Sequence, residues 1–200
     1  YIILYENFYS ILIYMNKSDL LKKYYTNSIQ IHTGVIDDII DTCLHKNFKI
    51  LVFGLGYDSN LWYNLSDKNT FFIEDNQEYI DLNKDIPRSN IKKYKYKTTV
   101  EQSFDISQED LNTYSIPDDI LQLAPFDVII IDGPAGYANN RPGRLLPIYW
   151  SKTLSKPGTI IYVDDCKRRL EKHCIDRFLI DYRIKHFSER GGCDKFVISN

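Results

Sequence analysis

The chemistry legible in this sequence is carried by one glycine turn and a small set of acids. Gly54-Leu55-Gly56 follows an apolar run and leads into Asp58-Ser59. Glycine lacks a Cβ, so positions 54 and 56 let a ligand approach the backbone closely. Glu74 lies 20 positions after Gly54, at the end of the next apolar run. A carboxylate there can accept hydrogen bonds from both hydroxyls of a ribose. A GxG alone says little, but strand, GxG, helix, strand and acid in that order point to an adenosine cofactor. The third glycine of a dinucleotide fingerprint is replaced by Ser59. That glycine serves close helix–strand packing under a pyrophosphate, which S-adenosylmethionine does not have. S-adenosylmethionine is therefore the expected cofactor. Asp58 and Ser59 are read either as holding its amino-acid end or as capping the next helix.

Asp132 and the pair Asp164-Asp165 close two further apolar runs. Ends of neighbouring parallel strands converge on the ligand crevice, so these carboxylates are expected together. Clustered carboxylates repel unless they are protonated or bridged by a cation. Mg2+ or another divalent metal would suit their oxygens and would lower the pKa of a bound hydroxyl. The other reading has Asp165 capping a helix and Asp132 alone facing the substrate. Asp132 is the first candidate for general base or metal ligand, and it also borders the cofactor. Tyr137, Arg141 and Arg144 follow Asp132 in one loop; a sugar stacked on Tyr137 and a carboxylate clamped by arginine would fit there. Arg144, with Asp132 and Asp164, is also a candidate catalytic residue. Its other reading is a pair with a structural acid. His32, His45, His173 and His186 read as structural, with His32 singled out beside Gln30 and Thr33.

The elements that must position these residues alternate between strand and helix, which predicts an α/β fold with a mostly parallel sheet. Strands are expected at 48–53, 70–74, 92–98, 126–131 and 159–163, and a terminal hairpin from 182–187 and 195–198. Thr33 is placed to cap a helix with Val35, Ile36, Ile39, Ile40, Cys43 and Leu44 at helical spacing, and another helix is expected at 168–180. Residues 101–124 read as loops with short helices. Lys92 to Lys97 alternates basic and aromatic residues, as one face of a strand does; a single-stranded nucleic-acid surface is the other reading. Lys167-Arg168-Arg169 opens a helix against its dipole, so Arg168 is expected to have an acid partner.

With 200 residues, 44% of them hydrophobic, the chain suffices for one packed domain. A net charge of −2 argues against polyanion binding, so no nucleic acid is expected. Cys43, Cys166, Cys174 and Cys193 show neither a CxxC pair nor a spacing typical of zinc sites. They read as free thiols in a reducing compartment. Residues 1–15 are apolar but interrupted by Glu6 and Asn7, too short to span a bilayer, and without the features of a signal peptide. The expectation is an N-terminal extension, 1–27, packing on a domain of residues 28–200, without a membrane span and cytoplasmic.

The segment Leu51 to Trp62 resembles a stretch of the plant glucuronoxylan 4-O-methyltransferase family, which reads as VFGLGHDS followed by Trp. Further similarities keep the same order. Phe71 to Asp75 resembles FLEED, Asp132 to Tyr137 with Pro142-Gly143-Arg144 resembles D-[AG]-P-x-G-Y…PGR, and Gln30 with Thr33 resembles an upstream Q-x-T. The similarity covers about residues 28–199. It implies a Rossmann-like class I methyltransferase with a mostly parallel seven-stranded sheet and a C-terminal antiparallel hairpin. It further implies methyl transfer from S-adenosylmethionine to a sugar hydroxyl, with glucuronic acid in a polysaccharide as the family's acceptor and rhamnose or another glycan unit as alternatives. Asp164 departs from the family's His and makes the strand ends more acidic. Two other functions compete. A nicotinamide-dependent oxidoreductase is disfavoured by Ser59. A non-catalytic binding module would need none of Gly54, Gly56, Glu74 and Asp132.

Overall fold

The computed structural model describes residues 16–200; the apolar stretch 1–15, and the packing expected of it, lie outside them. Among the described residues, seven strands form one sheet: β1 (Ile50–Phe53), β2 (Thr70–Glu74), β3 (Ile91–Lys93), β4 (Val128–Ile131), β5 (Ile160–Asp164), β6 (Arg183–Phe187) and β7 (Cys193–Val197). Their spatial order is β3-β2-β1-β4-β5-β7-β6. β1 to β5 are parallel to one another, and β7 runs antiparallel to both β5 and β6. This is the mostly parallel seven-stranded α/β sheet with a terminal hairpin that the sequence predicts.

Strand alternation divides the core into two layers. Ile50, Val52, Phe72, Val128, Ile130 and Tyr162 face one side, where they meet α1 (Lys17–Tyr24), α2 (Thr33–Cys43), α3 (Ser59–Leu65) and α4 (Gln77–Leu82). Leu51, Phe53, Ile73, Ile129, Ile131, Ile161 and Val163 face the other. There they pack against α5 (Val100–Ser103), α6 (Gln108–Asn112), α7 (Asp118–Leu123), α8 (Leu145–Thr153) and α9 (Arg169–Phe178). Both faces of β1 and β4 are therefore buried, which is why these strands read as unbroken apolar runs. β6 is an edge strand and largely exposed; Arg183, Lys185 and His186 give it the charged surface that protects an open edge.

Two local expectations are corrected. The cap of α2 is His32, whose Nδ1 accepts from the Gly34 N–H at 3.1 Å; Thr33 is the first helical residue. The strand expected at 92–98 ends at Lys93. Its partner β2 ends at Glu74 and the chain there turns into α4, so beyond the Tyr94 N–H to Glu74 carbonyl bond no ladder remains to follow. The alternation persists outside the sheet. Tyr94 and Tyr96 pack on Trp150, with centroids 5.4 and 6.4 Å away, and Lys93, Lys95 and Lys97 are exposed.

The chain steps outward from β1 to β2 and β3, then returns to the other side of β1 for β4. Between β1 and β4 the connections leave in opposite directions and a crevice opens at the carboxyl ends. Two glycines set how closely the strand ends meet. Gly54 has φ +109°, and a Cβ on it would lie 3.0 Å from the Gly133 nitrogen; a Cβ on Gly133 would lie 2.7 Å from the Gly54 Cα. Gly133→Ala is thus expected to lose about 2 kcal/mol or more in urea denaturation, because backbone meets backbone and neither can yield. Gly158→Ala, at φ +89° in open space, should lose only about 1 kcal/mol. Equal losses would show that the Gly54–Gly133 contact does not constrain the fold.

Candidate active site

The crevice at this switch point has a volume of about 920 Å³, a size suited to a cofactor and part of a second ligand. One wall is the turn after β1 together with Glu74, Asp75 and Asn76; the other is Asp132, Asp164, Asp165 and the loop 133–144. Gln30 and His32 also line it, whereas Thr33 does not.

Glu74 ends β2 and is buried. Its Oε2 accepts from the Leu55 N–H and its Oε1 from the Asn76 N–H, both at 2.6 Å. Burial pushes its carboxyl up to about 7, against the pull of those two donors. Glu74 thereby fixes the glycine turn as well as facing the crevice. Gly54 owes its type to its contact with Gly133, and Gly56 to Asp58, whose Oδ1 would lie 2.9 Å from a Cβ there. Asp58 lines the crevice, and its Oδ2 accepts from Trp62 Nε1 at 2.8 Å instead of capping α3. Its carboxyl is raised by burial and by the Asp164 charge. Ser59 stands behind the turn, fully buried, accepting from the Gly56 N–H at 2.8 Å; it does not line the crevice.

Oxygens of Asp132, Asp164 and Asp165 all lie within 4.8 Å of one another, so the acidic strand ends do converge. A guanidinium holds them. Arg144, read from the sequence as a clamp for a substrate carboxylate or as the partner of a structural acid, is 3% exposed and points into the protein. Its Nη2 donates to the Asp132 carbonyl at 2.6 Å, to Asp132 Oδ1 at 3.1 Å and to Asp165 Oδ2 at 2.8 Å, while Nη1 donates to the Asp164 carbonyl. The tight loop before it turns the chain inward: Gly143 has φ +70°, and a side chain there would strike Leu170. Arg168 completes the shell, with Nη2 2.8 Å from Asp165 Oδ2, and is the cation whose acid partner the sequence leaves unnamed. Asp165 does not cap α9. It adopts φ +56°, a conformation Asp tolerates better than most residues, and spends its carboxylate on the two arginines.

With Asp165 paired twice, the remaining charge falls on Asp132 and Asp164. Burial and the neighbouring Asp132 carboxylate push Asp164 up to about 8, so it is neutral at pH 7 and donates to Asp132. Burial raises Asp132 to about 6 against the pull of Arg144. The crevice thus holds one carboxylate with a neutral acid beside it. At the mouth stands Tyr137, 67% exposed, with the Arg141 guanidinium 5.1 Å over its ring. Glu171, which no motif in the sequence marks, is fully buried under this loop with neither carboxylate oxygen hydrogen-bonded. Its oxygen would lie 2.6 Å from a Cβ on Gly136, so the glycine makes room for it.

The chain is similar to proteins whose names bear on this crevice. The IRX15/IRX15L/GXM family model matches residues 101–190. Glucuronoxylan 4-O-methyltransferase 2 of Arabidopsis thaliana is 30% identical, over 86% of this chain and 70% of that protein. Arabinogalactan O-methyltransferase 1 of the same plant is 28% identical, over 67% and 56%, and Protein IRREGULAR XYLEM 15 is 27% identical, over 72% and 53%. The chain thus spans about half to 70% of the length of these relatives. Among solved structures, the O-methyltransferase TomG from Streptomyces achromogenes is superposable with a TM-score of 0.53 at 14% identity, covering 96% of this chain and 93% of that one. The methyltransferase MycE gives 0.51 at 12% identity, covering 90% and 48%. The likeness to both is one of fold, the Rossmann-like methyltransferase sheet.

The electrostatics have a measurable consequence. Glu74, Asp132 and Asp164 hold protons in the folded chain that the unfolded chain has released by about pH 5. Their contribution to stability is therefore complete at low pH and lost as pH rises through about 6 to 8. Asp164→Asn cannot ionise and keeps a donor toward Asp132. Between pH 6 and 8 it should lose less stability than the wild type in urea denaturation. Parallel curves would mean that Asp164 is already ionised.

Proposed function

Because this chain belongs to the IRX15/IRX15L/GXM family, we propose that it is an S-adenosylmethionine-dependent O-methyltransferase acting on a sugar hydroxyl of a glycan. The observation that carries the reading is one crevice, at the switch point of a methyltransferase-type sheet, with Glu74 on one wall and Asp132 on the other. The relatives' names support the reaction class and the polysaccharide acceptor.

The residues present fit the cofactor. Each Glu74 oxygen spends one lone pair on a backbone N–H and keeps another for a ribose hydroxyl. Asp58 offers a desolvated carboxylate to an ammonium group. When bound, S-adenosylmethionine supplies an electrophilic methyl group on a sulfonium. Asp132 acts as general base, accepting the proton of the acceptor hydroxyl. Arg144 and the Asp164 hydroxyl hold Asp132 by hydrogen bonds, which orients it toward the crevice. Tyr137 offers an exposed face for a sugar ring, and Arg141, stacked on it, brings a positive charge to the mouth. That charge suits the carboxylate of a uronic acid, and glucuronic acid is the acceptor we propose. Arg144 is assigned to positioning Asp132 and Asp165 and takes no part in holding the substrate.

A divalent cation would find its place on the carboxylate oxygens that Arg144 leaves free. Asp132 and Asp164 would hold it in exchange for the proton they share, with Asp165 tied to its two arginines. Bound there, it would lower the pKa of a coordinated hydroxyl.

Calorimetric titration with S-adenosylhomocysteine, followed by methyl transfer to glucuronic-acid-bearing oligosaccharides, tests the proposal. Glu74→Ala should weaken binding of the homocysteine product about 10- to 100-fold through lost charged hydrogen bonds. Asp132→Asn should bind it much as the wild type does, yet lower kcat at least about 100-fold. Folded wild-type protein that binds no S-adenosylhomocysteine would overturn the cofactor assignment. A full-rate Asp132→Asn variant would overturn the assignment of the base.

A further inference from the structure

A second constellation lies one residue beyond the acid cluster, behind the crevice, and methyl transfer does not use it. Cys166 in the turn after β5, His186 on β6 and Asp194 on β7 place one ligand-type atom each within 4.8 Å of the others. His186 Nδ1 stands 2.6 Å from Asp194 Oδ1 and 3.8 Å from Cys166 Sγ. Cys166 and Asp194 are buried, while the His186 side chain is 43% exposed. We propose that Cys166, His186 and Asp194 form a zinc site that ties the β5–α9 turn to the C-terminal hairpin.

The chemistry and the spacing support this. One thiolate sulfur, one imidazole nitrogen and one carboxylate oxygen are zinc donors, with bonds of about 2.3, 2.0–2.1 and 2.0–2.2 Å. Two such donors around a tetrahedral ion sit roughly 3.3–3.6 Å apart. The sulfur–nitrogen separation is already close to that value. The imidazole and carboxylate, now in direct contact, need to part by less than about 1 Å to admit the ion. The exposed side of His186 leaves the fourth position to water. Outer contacts are in place: Arg183 Nη1 lies 3.4 Å from Asp194 Oδ2, which steers that carboxylate. Cys166 is fixed from behind, its N–H donating to the Gly192 carbonyl at 3.2 Å. Without metal, burial holds the Cys166 thiol protonated, with its pKa pushed up to about 12. Coordination therefore releases that proton to solvent, and affinity rises with pH. Cys166 directly follows Asp164 and Asp165, so an ion here would stiffen the turn that presents both acids. The assignment does not depend on the methyltransferase reading, since none of the three residues faces the cofactor turn.

Cobalt substitution separates this site from the crevice acids, which offer no sulfur. Co2+ added to the folded wild-type chain should give a near-ultraviolet thiolate-to-metal absorption that saturates at one equivalent, and equimolar Zn2+ should abolish it. Cys166→Ser and His186→Ala should each lose the band or weaken the metal at least about 10-fold, and Cys193→Ser should retain it. His186 is at the surface, so its variant keeps the test open should Cys166→Ser fail to fold. A folded wild-type protein without the band at saturating Co2+, a band that survives in His186→Ala at unchanged affinity, or one that Zn2+ does not remove would each overturn the proposal.

Discussion

The Arg144 guanidinium decides how the acidic end of the sheet is built. Three carboxylates converge where β4 and β5 end, and in a poorly solvated crevice their repulsion would splay the strand ends or force protonation. Arg144 answers with hydrogen bonds to two backbone carbonyls and two carboxylates, so it fixes both the path of the chain and the orientation of the acids. Arg168 shares Asp165, and the proton held by Asp164 settles what remains. The charges balance among themselves to leave one usable carboxylate, Asp132. Such a tie is costly to break, because removing one partner strands the others in a dry place.

The cofactor side and the acid side are joined twice. Mechanically, the close passage of Gly54 and Gly133 packs the turn after β1 against the turn after β4, which fixes the spacing of the two walls. Electrostatically, beyond the effect of burial, Asp164 raises the pKa of Asp58 and Asp58 raises that of Asp132. A cation seated against Asp58 reverses that influence and lowers the pKa of Asp132. Under the proposed chemistry, a bound cofactor with its ammonium and sulfonium charges therefore makes Asp132 a better-populated base when a methyl group is present to be transferred.

Much of this was legible in the sequence, for identifiable reasons. β1 and β4 are buried on both faces and so appear as apolar runs; Glu74, Asp132 and Asp164 follow from where such runs stop. β3 looks longer in the sequence than it is, because Tyr94 and Tyr96 continue the alternation while packing on Trp150, outside the sheet. Local pattern does not reveal that a partner strand has ended. The sequence leaves Arg144 two readings, a substrate clamp or the partner of a structural acid, and cannot choose between them, since a loop arginine after a glycine gives no hint of pointing inward until Leu170 closes the other side of Gly143. Ser59 has the right type for a ligand contact, but its place behind the turn depends on the helix that follows. Cys166, His186 and Asp194 come from three separate elements, and spacing along the chain cannot show a cluster made by antiparallel pairing of the terminal hairpin.

The most direct measurement of the central claim is a double-mutant cycle by urea denaturation at pH 7 on Arg144→Met, Asp165→Asn and the pair. If the guanidinium is the tie that holds the acids, Arg144→Met alone costs about 3–5 kcal/mol, and in the Asp165→Asn background it costs at least about 1 kcal/mol less, because one of the stranded charges is gone. An Arg144→Met variant as stable as the wild type, or one that costs the same in both backgrounds, would contradict the account.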